Sequence, residues 1–241
     1  MISFFQELSA RYQEFTNNLN NVLSDFLKNV KDLAVALEPI KNAITMADNC
    51  KNNQWVIFFE VPQETILLLN EAQIDCNIVM HEYFTKDDYA NFKQLYDEYK
   101  VHESVAQHKL TLEQAAENFI EGKQYNLIAY ALVSVFDGTL SNITKINKTF
   151  FAKRINKLID NNATLDEILD KVGVKGLAFM YTFDAIEEFV EFTDFDNDTE
   201  PHSLNRHWIA HGRSTKLFTE IDCLKLFNFI FALVFSESFN E

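Results

Sequence analysis

Three residues toward the C-terminal end have types and spacing suited to proton and phosphate chemistry. They are Arg206, His207 and His211, inside the run Ser203–Gly212, with His202 just before it. A histidine ring exchanges its proton near neutral pH, so it can act as acid or base in a reaction. An arginine stays charged and forks onto phosphate oxygens. Metal-free RNA cleavage needs a base for the 2′-hydroxyl, an acid for the leaving 5′-oxygen and a cation for charge building on the phosphorane. A metal is the rival use of these residues, since His207 and His211 are four apart and share a helix face, the spacing of two zinc ligands. A zinc protease would need Glu at position 208, where this chain has Trp. No cysteine or acid has an evident claim as third ligand, although His202 and the loop Asp194–Glu200 are near in sequence. A purely structural alternative is a helix whose polar residues only satisfy a dimer interface.

The elements that must position these groups follow from the flanking residues. Pro201 and Ser203 offer a helix start and Gly212 a left-handed C′ residue. The expected helix is about two turns, from Leu204 to His211, with Leu204, Trp208 and Ile209 turned inward. Arg206 and His211 are then about 140° apart around it and do not share a face.

Arg206-His207-Trp208-Ile209-Ala210-His211-Gly212 resembles the Arg-x4-6-His motif of the HEPN superfamily (higher eukaryote and prokaryote nucleotide-binding domains). The likeness covers seven consecutive positions, with Ile-Ala before the histidine and Gly after it. It departs at the second position, commonly Asn in the family and His207 here. The resemblance implies a helical bundle that dimerises, so that two motif copies form one composite cleft. It also implies a metal-independent endoribonuclease with no cofactor, leaving 2′,3′-cyclic phosphate ends in a toxin or phage-defence setting, with a protein antitoxin as a further partner. Under it Arg206 stabilises the phosphate, His211 does the acid/base work, and His207 and Asn205 support them. A different class stays open: a catalytically silent HEPN-like module that binds nucleotide, RNA or a protein partner.

The rest of the chain predicts an all-α fold. It has 241 residues, 47% of them hydrophobic, with only 5 glycines and 3 prolines, which favours long helices around a sizeable core. Apolar residues recur at steps of three and four from Phe5 to Leu37, the helical period. Further helices are expected at 63–74, at 78–99 with a cap at Thr85–Asp88, at 111–121 with a cap at Thr111 and a stop at Gly122, and at 125–136. Thr164–Glu167 reads as a capping box, 178–192 as an amphipathic helix, and Thr219 with Asp222 caps a last helix through Phe235. Residues 55–61 read as a short buried helix ahead of Pro62. The tyrosines at 83, 89, 96 and 99 read as core. Residues 102–110, with His102 and His108, are a polar connector that divides an N-terminal helical region, 1–110, from a HEPN-like helical domain, 111–241.

Charge limits the partners. Formal net charge is −15, which argues against general phosphate-neutralising nucleic-acid binding, and no DNA partner is expected. Between Asp137 and Asp160, however, there is no acid, while Lys145, Lys148, Lys153, Arg154 and Lys157 all fall there. That strip is either a solvated helical face or an RNA-contacting surface beside the motif. The run Asp194, Asp196, Asp198, Glu200 starts like a calcium loop but lacks its glycine, and Asn205 stands where the closing Glu belongs. The cysteines Cys50, Cys76 and Cys223 have no paired-ligand spacing and read as reduced thiols. With neither a signal-peptide pattern nor a membrane-spanning run in view, the expected location is the cytoplasm.

Overall fold

The structure is a computed structural model describing residues 34–71, 73–146, 178–179, 181–191, 193–196 and 199–237. Side chains of 34–41, 43 and 144–146 are not part of that description. The helices are α1 (Ala34–Asn52), α2 (Gln63–Leu69), α3 (Cys76–Tyr99), α4 (Lys109–Ile120), α5 (Tyr125–Ile146), α6 (Asp184–Val190), α7 (Arg206–Ala210) and α8 (Glu220–Ser236). A 3-10 turn, Glu103–His108, precedes α4. Among the described residues there is no strand, so the fold is all-α, and no helix is long and apolar enough to cross a membrane. Most of the stretch 5–37 with helical periodicity and the capping box at Thr164–Glu167 lie outside the described residues.

Helix α8 is the axis of the core. It starts in a reciprocal capping box between Thr219 and Asp222, as expected from the sequence. From Leu226 to Val234 every residue is buried, so the helix is covered on all sides within this chain. It packs against α5 and α3, and α5 packs in turn against α4 and α7. Phenylalanines join these layers: Phe227 meets Phe92 of α3 and Phe119 of α4, and Phe229 meets Phe189 of α6. Buried residues from Met46 to Val234 belong to one hydrophobic cluster, so the described segments on both sides of residue 110 share a core.

The segment Trp55–Phe59 corrects the sequence reading. It is buried as expected but is not helical, and it runs through the core without a strand partner. A buried peptide group must find a hydrogen-bond partner, and here side chains supply it. Asn228 of α8 accepts from Val56 N and donates to Val56 O, both at 2.9 Å. Thr182 Oγ1 accepts from Ile57 N at 2.8 Å. The chain turns into this segment at Gln54, whose φ is +59°.

Three other expectations change. Residues 102–110 are only partly solvated: Glu103, Ala106, Gln107, Lys109 and Leu110 are exposed, but Ser104 and Val105 are buried, and Asn142 of α5 donates to Ser104 O. His108 lies directly on Gly138 of α5, where an added Cβ would fall 1.8 Å from His108 Nε2. Helix α4 begins at Lys109 with no side-chain cap, which places Thr111 inside it, while Gly122 ends it at φ +68° as foreseen. Helix α3 breaks at Lys86–Tyr89, close to the expected start, but Thr85 does not cap there. Its hydroxyl donates back to His81 O, and Asp87, Asp88 and Tyr89 take left-handed conformations.

Candidate functional site

Helix α7 is only five residues long, and its geometry is imposed from its ends. At the start, Asn205 accepts from His207 N at 2.9 Å and Trp208 N at 3.2 Å, satisfying two donors that a helix leaves open. Asn205 is itself buried and donates to Glu191 O. The cap is therefore Asn205, not Ser203, and the helix begins two residues later than expected. One residue upstream, Gln54 grips Leu204 by both peptide groups, accepting from its N–H at 2.7 Å and donating to its C=O at 2.9 Å. At the other end Gly212 has φ +64°, Arg213 N donates to Trp208 O and Gly212 N to Ile209 O. This is the Schellman arrangement, and it confirms the role expected for Gly212. Leu204 and Ile209 are buried, whereas Trp208 is only half-buried.

The loops flanking α7 are tied to each other. Glu200 accepts from Ser214 Oγ and from both N and Oγ1 of Thr215. Burial pushes its pKa up, but these bonds and Lys216 outweigh that, so the carboxyl sits below its usual value. Lys216 donates to the carbonyls of His202 and Ser203.

Within this frame Arg206 reaches onto α5. Its Nε meets Asp137 Oδ1 at 2.6 Å and its Nη2 meets Asp137 Oδ2 at 2.8 Å, a bidentate pair onto α5. Each side chain is about one third exposed. Sequence reasoning marked Asp137 only as the edge of an acid-free stretch; 69 residues separate the partners, and nothing local signals the pairing.

His207 and His211 do come together, with ring centroids 4.6 Å apart. Phe195, from the acidic loop, stacks on His207 at 4.5 Å and meets His211 edge-on at 5.6 Å. The Arg213 guanidinium lies over the same Phe195 ring at 4.5 Å. Burial first, then His211 and Arg206, hold the His207 pKa below its ordinary value, which favours the neutral ring. His211 and Arg213 are exposed. Phe195 and Arg213 were not foreseen; the Asp-rich loop drew notice for its acids, while its working residue at this site is the aromatic between them.

Other sequence candidates stand apart. His202 is exposed and offers its carbonyl to Lys216. Asp194 accepts from Asp196 N in a local turn. Among the described residues no three His, Cys, Asp or Glu side chains converge as metal ligands. Lys148, Lys153, Arg154 and Lys157 lie outside the described residues, and of Lys145 only the backbone is described. The thiols of Cys50 and Cys76, far apart in sequence, meet in the core at 4.0 Å, and Cys223 is buried and free. No family model matches the chain, and no similar protein is found among curated proteins or solved structures.

Proposed function

We propose that the chain is a metal-independent endoribonuclease acting as a homodimer. The observation that carries this reading is the pairing of His207 and His211, with Arg213 over the Phe195 ring that both histidines touch. His211, the more exposed ring, performs proton transfer on the 2′-hydroxyl or the leaving oxygen. His207, favoured neutral, supports it as a proton acceptor, and Asn205 holds the His207 backbone in place. Arg206 contributes charge toward the phosphate through the Nη1 that its pair with Asp137 leaves over. A second copy would add a second set of these groups, as the resemblance to HEPN proteins implies, and a toxin or defence role with a protein antitoxin belongs to the same proposal.

A second reading has its own support. The Arg206 fork is already occupied by a carboxylate, and His207 stands where HEPN motifs commonly have Asn. Both suit a catalytically silent module that binds nucleotide, RNA or a protein.

The test is cleavage of mixed structured and single-stranded RNAs with EDTA present, comparing wild type with Arg206→Ala and His211→Ala, alongside the mass in solution. Cleavage that survives EDTA and is lost in both variants of a dimer is the expected result. A strict monomer, or a folded dimer that cuts nothing, hands first place to the binding module.

A further inference from the structure

We infer that Arg213, not Arg206, is the principal phosphate-holding cation of this site. The choice of a phosphate as its anion rests on the ribonuclease reading; the assignment of the residue rests on geometry.

The charge of Arg206 is offset by Asp137, and its Nε and Nη2 are used in that pair. Lys216 is committed to two carbonyls. Glu200, in the loop before α7, is taken by Ser214 and Thr215. Arg213 alone of these cations has a side chain that makes no hydrogen bond or ion pair among the described residues, and it is exposed. It is not loose, however. His207 and Arg213 each lie 4.5 Å from the Phe195 ring centre, so one aromatic ring holds both groups.

A guanidinium held over an aromatic ring keeps N–H groups free for a ligand while the ring restricts where it lies. The backbone of Arg213 is equally fixed, because its N–H closes the Schellman turn on Trp208 O. A cation held this way, on the same aromatic ring as His207 and two residues from His211, suits a phosphate of a single-stranded RNA backbone beside the histidine pair. Planar pairing with two phosphate oxygens needs the arginine fork, so lysine is a poor replacement.

The experiment is NMR of arginine Nε–H and histidine ring signals during titration of the full chain with inorganic phosphate, against chloride at equal ionic strength. RNA cleavage in EDTA is measured on the same proteins, and thermal melting confirms that each is folded. Wild type should show saturable shifts at Arg213, His207 and His211. Arg213→Gln should weaken phosphate binding by about tenfold or more, the scale of one charge-assisted contact. Arg213→Lys should recover only part of it, and Lys123→Gln, which removes an exposed charge elsewhere, should match wild type. Absent shifts in wild type, or wild-type binding by Arg213→Gln, overturn the assignment. Phosphate held through Arg213 without RNA cleavage removes the ribonuclease reading and leaves the assignment standing. Unimpaired cleavage by Arg213→Gln does the reverse.

Discussion

Arg206 and Asp137 face each other across two parallel hydrogen bonds, 2.6 and 2.8 Å long, joining the short helix α7 to α5. The pair is partly exposed, so its charge is screened, but its fork geometry is good. Asp137→Ala should cost about 1–2 kcal/mol of stability. In a double-mutant cycle with Arg206→Ala, followed by urea unfolding, the two losses should fail to add by about 1 kcal/mol. Simple additivity would mean the pair contributes nothing.

Gly138 lies next to Asp137, and there the absence of a side chain matters for packing. With His108 Nε2 1.8 Å from the place a Cβ would occupy, Gly138→Ala must push the ring and its 3-10 turn away from α5. A loss of about 1–3 kcal/mol is expected, typical of overpacking. In a His108→Ala background the sign should reverse, because alanine is favoured over glycine inside a helix by about 0.5–1 kcal/mol. Equal effects in both backgrounds would show that the ring is not the obstacle.

Asn228 should be among the least replaceable residues of the core. Asn228→Leu keeps the volume but strands the N–H and C=O of Val56 in an apolar interior. At about 1–3 kcal/mol for each unsatisfied group, a loss of about 2–4 kcal/mol is expected in chemical denaturation. A change under about 0.5 kcal/mol, the usual size at an ordinary surface site, would mean that water replaces the amide.

Asp184, at the start of α6, gives a pH signature. Burial raises its carboxyl to about 6, against an ordinary 3.8, and Lys51 at 3.7 Å only partly offsets this. The folded state therefore holds this proton more tightly than the unfolded state does. Its contribution to stability falls as pH rises from about 4 to about 6 and stays low above that. Asp184→Asn should accordingly gain over wild type as pH rises, by about 1–2 kcal/mol at pH 8 once solvent screening is allowed for. Melting temperatures of both proteins from pH 4 to 8 would test this, and parallel curves would refute it.

Local residue types and spacing fix whatever depends on neighbours a few residues apart. Helical periodicity and scarce Gly and Pro gave the all-α class. The Thr219–Asp222 capping box, the left-handed stop at Gly212 and the buried last helix are likewise set by local residue types, and so is the one-face spacing of His207 and His211. The rest emerges only on folding, because it depends on groups that meet across long stretches of chain. Asp137 comes to Arg206 over 69 residues, and Gln54 grips Leu204 over 150. Asn228 reaches Val56 over 172 and satisfies the peptide group of the non-helical segment 55–59, whose strand-like composition before Pro62 reads as a short buried helix. Phe195 joins the histidines only when the loop before α7 folds back onto them. Propensity describes the preference of an isolated segment, and it yields wherever buried peptide groups and charges are satisfied by a distant partner.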